Sequence, residues 1–168
     1  ERFEFRDVRA EEADQTIAIE NICFPPNEAC SSKSMTERAS QAQETFLVAV
    51  DKETGKIAGF LNGIATDEEV FRDEFFTDIR LHNIKGEKYY DTWTGCSARV
   101  SRTRTGPGDH GAISETGEGV RTQACVLTCL DEKVKMYERM GYKDLGISAS
   151  VWGGEKWHDM EYVFGLQE

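Results

Sequence analysis

The chain has no leucine between Leu81 and Leu127, no phenylalanine between Phe76 and Phe164, and no lysine between Lys88 and Lys133. A stretch this poor in leucine and phenylalanine offers little large apolar surface to bury. In its place stand six threonines and six glycines between Thr92 and Thr122. The residues on either side have ordinary composition. Other scarcities exclude whole classes of function. Basic residues number 20 against 31 acidic ones, for a formal charge of -11 and a pI near 4.8. That balance argues against nonspecific nucleic-acid binding and against anionic membranes. The short cluster Arg99, Arg102 and Arg104 does not reverse it. His82, His110 and His158 are too scattered for a metal site. The five cysteines (Cys23, Cys30, Cys96, Cys125, Cys129) form no C-x-x-C pair, which disfavours zinc and thioredoxin-like chemistry and suits a reducing cytoplasm. No apolar run approaches the roughly 20 residues of a membrane span. At 168 residues the chain is long enough for one domain, residues 1–168, with a sizeable core.

Periodicity places the elements. Phe3–Arg9 alternates and reads as a strand. Ala10, Ala13 and Ile17, widened by Ile19, Ile22 and Cys23, predict a helix from about Glu11 to Cys23, ended by Pro25 and Pro26. Ser34 with Glu37 three residues on suggests a capping box for a second helix. Phe46–Val50 and Ile57–Ala65 flank the turn DKETGK and form a hairpin. Asp67–Phe76, acidic first and aromatic later, suits a short helix. Beyond the depleted stretch, Val126–Leu130 reads as a strand and Glu132–Met140 as a helix stopped by Gly141. Tyr142–Trp152 and Lys156–Phe164 read as two strands around Gly153 and Gly154.

The segments FEFRDVRAEEADQTIAIENICFPP, FLVAVDKETGKIAGFLNGIATDEE and LTCLDEKVKMYERMGYKDLG together resemble the GNAT superfamily of acetyl-CoA-dependent N-acetyltransferases. Within it they look most like the arylalkylamine (serotonin) branch and its bacterial relatives. With the last two strands they cover about three quarters of the chain. The run VKMYERMGY fits the family pattern V-x-x-[FM]-Y-x-[RK]-x-G-[FY]. The resemblance implies an α/β (α+β) fold, a mixed, mostly antiparallel sheet flanked by helices. It also implies a fourth strand and a Q/R-x-x-G-x-G/A pyrophosphate loop in the depleted stretch. That loop motif is absent. Thr103–Gly108 (TRTGPG) is the nearest imitation, and its Pro107 lacks a backbone N–H that a phosphate cradle needs.

The genetic code accounts for the gap. Trp93 can only be TGG and Thr94 must begin AC, so reading one base later gives a glycine codon there. Applied from Lys88 onward, the same shift permits NIMILGLDVLPEYRGQGLAREIM. This string contains a buried strand, LGLDV, and the loop RGQGLA followed by a helix start. Residues from about 88 to about 125 thus read as a frame-shifted translation, with the frame restored by about Val126. A divergent, flexible insertion is the alternative. In the chain as written, the fourth strand and the cofactor-loop helix are expected to be missing or disordered, and Thr92–Thr122 poorly ordered.

The remaining expectations come from the resemblance. Tyr137 matches the general acid that protonates the departing CoA thiolate. Val126 and Leu127 lie on the fifth strand, which splays from the fourth so that pantetheine can bond to exposed backbone. Thr128, Phe24 and Pro25 match acceptor-pocket positions. No metal is expected. The implied reaction is direct transfer of acetyl from acetyl-CoA to a small primary amine, by a monomer or homodimer, with activity impaired as written. The histidines that assist deprotonation in the animal enzymes have no counterpart here, so the general base stays open between a water chain and a carboxylate. A non-catalytic remnant or interaction module is the rival reading.

Overall fold

The computed structural model describes residues 2–96 and 123–164, with side chains described outside 93–96. Seven strands form one sheet: β1 (Phe3–Asp7), β2 (Phe46–Asp51), β3 (Lys56–Thr66), β4 (Lys88–Cys96), β5 (Ala124–Leu130), β6 (Lys143–Ile147) and β7 (Trp157–Val163). Their order is β1-β2-β3-β4-β5-β7-β6. Every neighbouring pair is antiparallel except β4 with β5, which run parallel. Among the described residues, four helices flank the sheet: α1 (Ala13–Cys23), α2 (Ser32–Gln41), α3 (Glu74–Thr77) and α4 (Asp131–Arg139).

Side-chain alternation along the strands supplies two cores, one on each face. Phe46, Val48, Phe60, Ile64, Tyr90 and Val126 point to the face that packs Ile19 of α1, Met35 of α2 and Phe75 of α3. Leu47, Leu61, Tyr89, Cys125, Leu127 and Met160 point to the other, where Val134 and Tyr137 of α4 close over them. A sheet covered on both faces needs nearly continuous apolar strands, and β3 is buried along its whole length after Lys56.

Several expectations need correction. The fourth strand is present: β4 pairs with β3 from Thr66↔Lys88 to Gly59↔Cys96, across an irregularity between Asn62 and Gly63. The open edge of β3 offers a full row of N–H and C=O groups, and Tyr89 and Tyr90 supply one buried ring to each core. The expected disorder of Thr92–Thr122 therefore does not hold for Thr92–Cys96. The rest of that stretch, with the cofactor-loop helix and TRTGPG, lies outside the described residues.

The second helix is capped by Ser31, whose hydroxyl accepts the Ser34 N–H at 3.1 Å, so Ser34 sits inside the helix rather than at its cap. Of the helix expected over Asp67–Phe76, only Glu74–Thr77 forms. Asp67 instead accepts from Glu87 N–H (3.1 Å) and Asn83 Nδ2 (3.3 Å), and these side-chain bonds hold the segment as a turn. The strand expected to reach Trp152 ends at Ile147. After Ser148 N–H bonds Trp157 O at 2.9 Å, residues 148–156 leave the sheet and bond to Asp73 and Glu28. Gly141, at φ +95°, does stop α4. Among the described residues, no helix is long and apolar enough to cross a membrane.

Candidate active site

β4 and β5 pair from Lys88↔Ala124 to Asp91↔Leu127 and no further. Both strands run on, β4 to Cys96 and β5 to Leu130, each held by its outer neighbour. The two inner backbone edges past Asp91 and Leu127 therefore face each other without ladder bonds. An extended, amide-bearing chain fits such a slot, because it can bond to backbone groups the sheet leaves unused.

A cavity of about 140 Å³ opens at this parting, lined by Phe24, Glu28, Phe76, Asp91, Thr92, Leu127, Thr128, Tyr137, Trp152 and Trp157. Four sequence-predicted residues meet there: Phe24, Leu127, Thr128 and Tyr137. Two do not line it. Val126 is paired on both sides, to Tyr90 and to Glu161, and its side chain belongs to the core beneath α1 and α2. Pro25 is exposed, and its carbonyl accepts the N–H groups of Glu28 and Ala29 at 2.9 Å each. It shapes the loop that delivers Phe24 and Glu28 without touching the cavity.

Tyr137 is half-buried on α4, edge-on to Tyr142 with ring centroids 5.5 Å apart. Burial first, and then the negative charge of Asp91, push its phenol above the ordinary value of 10. The hydroxyl therefore keeps its proton at neutral pH and is available as an acid. Tyr142 Oη lies 3.6 Å from Cys125 Sγ. Cys129 is buried in the core and pushed up to about 11, chiefly by burial, which makes it packing rather than nucleophile.

Sequence reasoning missed Glu28, Phe76, Asp91, Thr92, Trp152 and Trp157. They come from separate segments, and no spacing links them. Trp152 arrives on residues 148–156, of which sequence periodicity assigned 148–152 to strand. Among the described residues, no group of three His, Cys, Asp or Glu could hold a metal.

No family model matches the chain, and neither does any curated protein. Solved structures do. The chain is similar to the loading GNATL domain of CurA from Lyngbya majuscula, with a TM-score of 0.79, 11% identity, and coverage of 97% of this chain and 98% of that one. It is also similar to the GNAT-like decarboxylase GphF in complex with isobutyryl-CoA, at 0.73 and 14%, covering 95% and 98%. The diaminobutyrate acetyltransferase EctA from Paenibacillus lautus, in complex with L-2,4-diaminobutyric acid and coenzyme A, aligns at 0.62 and 11%, covering 99% and 98%. At these identities the likeness is one of fold. The chain has the GNAT fold, with a seven-stranded, mostly antiparallel sheet flanked by helices.

Proposed function

We propose that the chain carries the framework of an acetyl-CoA-dependent N-acetyltransferase acting on a small primary amine, arylalkylamine-like, with its activity impaired by the written segment after Cys96. The observation that carries this reading is the cavity where β4 and β5 part, bordered by Tyr137. Acetyl-CoA supplies an acetyl group activated as a thioester, and two solved neighbours contain CoA or an acyl-CoA. Backbone past Leu127 and Asp91 would hold its pantetheine arm. Thr128 and Phe24 would border the acceptor. The amine nitrogen bonds to the acetyl carbonyl carbon, the C–S bond breaks, and the Tyr137 hydroxyl gives its proton to the leaving sulfur. Asp91, beside Tyr137 in the same cavity, is the carboxylate placed to take the proton released by the amine.

The chain as written lacks a Q/R-x-x-G-x-G/A motif. It should bind acetyl-CoA weakly or without saturation in calorimetry. With the reading frame restored across codons 88–125, binding near micromolar and amine-dependent thiol release are expected. In that restored chain, Tyr137→Phe should lower kcat about 100-fold with little change in the acceptor KM, the size of effect general acids supply. Thiol release unchanged by Tyr137→Phe refutes Tyr137 as the acid. The absent motif also favours a second reading, a non-catalytic GNAT remnant. A restored chain that binds no acetyl-CoA and releases no thiol with any primary amine selects it.

A further inference from the structure

Asp73 stands at the N-cap of α3, where an aspartate ordinarily accepts N–H groups of its own helix, yet its side chain makes no such bond. Both carboxylate oxygens go instead to residues 77 and 78 positions away. Oδ1 accepts from Ser150 Oγ–H at 2.5 Å, and Oδ2 accepts Val151 N–H at 3.2 Å. The Asp73 backbone carbonyl meanwhile accepts Phe76 N–H at 3.0 Å. One residue therefore holds Phe76 by its main chain and the segment leading into Trp152 by its side chain. Those two rings stack, with centroids 4.7 Å apart and planes 21° from parallel, and both line the cavity.

The loop 148–156 has a local shape of its own. Ser148 Oγ accepts Ser150 N–H at 3.1 Å, and Ser150 Oγ accepts Trp152 N–H at 3.3 Å. Serine turns of this kind form between near neighbours and do not fix where the loop lies. Placement needs partners outside it. On one side Trp152 Nε1 donates to Glu28 O at 2.8 Å and Asn27 Nδ2 donates to Gly153 O at 3.0 Å, which ties the loop to the α1–α2 connection. On the other side Asp73 ties it to α3. Ser150 is 2% exposed, so its hydroxyl proton has no water to turn to once the carboxylate is removed. Without Asp73, Trp152 stays attached to the α1–α2 connection but loses its hold on the side where Phe76 sits. Asp73, Phe76, Ser150 and Trp152 all lie outside residues 88–125, so they are the same in either reading frame.

We infer that Asp73 is a positioning residue for the acceptor side of the cavity: through Ser150 and Val151 it sets Trp152 against Phe76, and the stacked pair sets how tightly an acceptor is held. The role in acceptor binding rests on the amine-acceptor reading above, and the placement of Trp152 does not. The test uses the full chain as it stands, labelled with 5-fluorotryptophan, with the Trp152 fluorine resonance assigned by its loss in Trp152→Phe. Asp73→Ala should move that resonance at least halfway to its position in the urea-unfolded chain. Asp73→Asn keeps one oxygen for Ser150 and should fall between. Ser150→Ala should move the resonance in the same direction, and adding it to Asp73→Ala should shift the resonance no further. Asparagine caps helices as well as aspartate does, so a residue that only capped α3 would give no shift in Asp73→Asn or in Ser150→Ala, and that result overturns the inference. In a ligand-observed NMR titration with 2-phenylethylamine, without CoA, Asp73→Ala should weaken binding at least fivefold. A resonance that moves while affinity stays unchanged overturns the role in acceptor binding. No saturation of the unaltered chain by the amine overturns the amine reading and the acceptor role with it, and the fluorine shifts still decide the placement of Trp152. If Asp73→Ala does not fold, Asp73→Asn and Ser150→Ala, which delete one hydrogen bond to the loop each, decide both points.

Discussion

Tyr137 was legible because a local pattern, VKMYERMGY, carries it, and a pattern within one helix survives without knowledge of the fold. Arg38 shows the opposite case. It sits in SKSMTERASQ, a helix that reads as polar throughout, yet it is fully buried. Its guanidinium donates through Nη2 to Phe75 O, and through Nη1 to Gly63 O and Thr92 Oγ1, both at 3.4 Å. One side chain thus ties α2 to β3, β4 and the segment that carries Phe76 into the cavity. Burial lowers its pKa to about 10, so it remains charged at neutral pH. Arg38→Ala leaves the Phe75 carbonyl without this donor and opens a void. We expect a loss of about 3 kcal/mol, within the range for breaking a buried charged network, measured as a shift in urea midpoint. Arg38→Lys should recover little, because an ammonium cannot span three acceptors held by a planar fork. A melt within error of the unaltered chain for Arg38→Ala would show that the network carries no net stability.

At the scale of elements, strands were easier to foresee than the segments between them. Alternation in β1, and short apolar runs between turn residues elsewhere, located β1, β2, β3, β5 and β7 to within a few residues, because each strand's pattern is set by its own burial. The loops that build the site were not legible, because their form comes from partners far away in sequence: Trp152 reaching Glu28, and Asp73 reaching Ser150. The α1–α2 loop has a further anchor. Glu20 of α1 is buried, and its Oε1 accepts the Cys30 N–H at 2.7 Å. Burial raises its pKa from 4.5 to about 7, against the opposing effect of that hydrogen bond. The folded chain therefore holds this proton to higher pH than the unfolded chain does. Stability is unaffected by Glu20 below about pH 4.5 and falls as pH rises from there to about 7. At about 1.4 kcal/mol per pH unit, the loss reaches roughly 3 kcal/mol. Asp7 and Asp159 are also raised by burial and act in the same direction. Comparison with Glu20→Gln isolates the effect: urea melts at pH 5 and pH 7.5 should differ less in the variant, which keeps an acceptor for Cys30 N–H. An identical difference in both chains would remove Glu20 from the account.

For the whole molecule, the two cores and the parting of β4 from β5 are built by residues 2–96 and 123–164, and their GNAT arrangement does not require the motif that is missing. The sheet and the cavity wall can therefore stand while cofactor binding fails. Between Cys96 and Gln123 the written chain has no leucine, phenylalanine, tyrosine or tryptophan. Ordering a residue costs about 1–2 kcal/mol in backbone entropy, which burial of large apolar side chains offsets. The one-base-shifted reading supplies LGLDV, which can bury against both cores, and RGQGLA, whose glycines let backbone N–H groups approach a pyrophosphate at a helix start. Restoring the frame across codons 88–125 should thus change two observables together. The thermal midpoint should rise by several degrees as more apolar side chains enter β4 at positions 92–96, and acetyl-CoA should pass from weak or unsaturable to near-micromolar binding in calorimetry. A gain in stability without a gain in binding would mean that the recovered loop is not a phosphate cradle. Near-micromolar binding by the chain as written would mean that the written segment is native and holds the cofactor by some other arrangement. Sequencing the coding DNA over codons 86–128 separates these cases at their source, because a frame error and a divergent insertion predict different bases for the same protein.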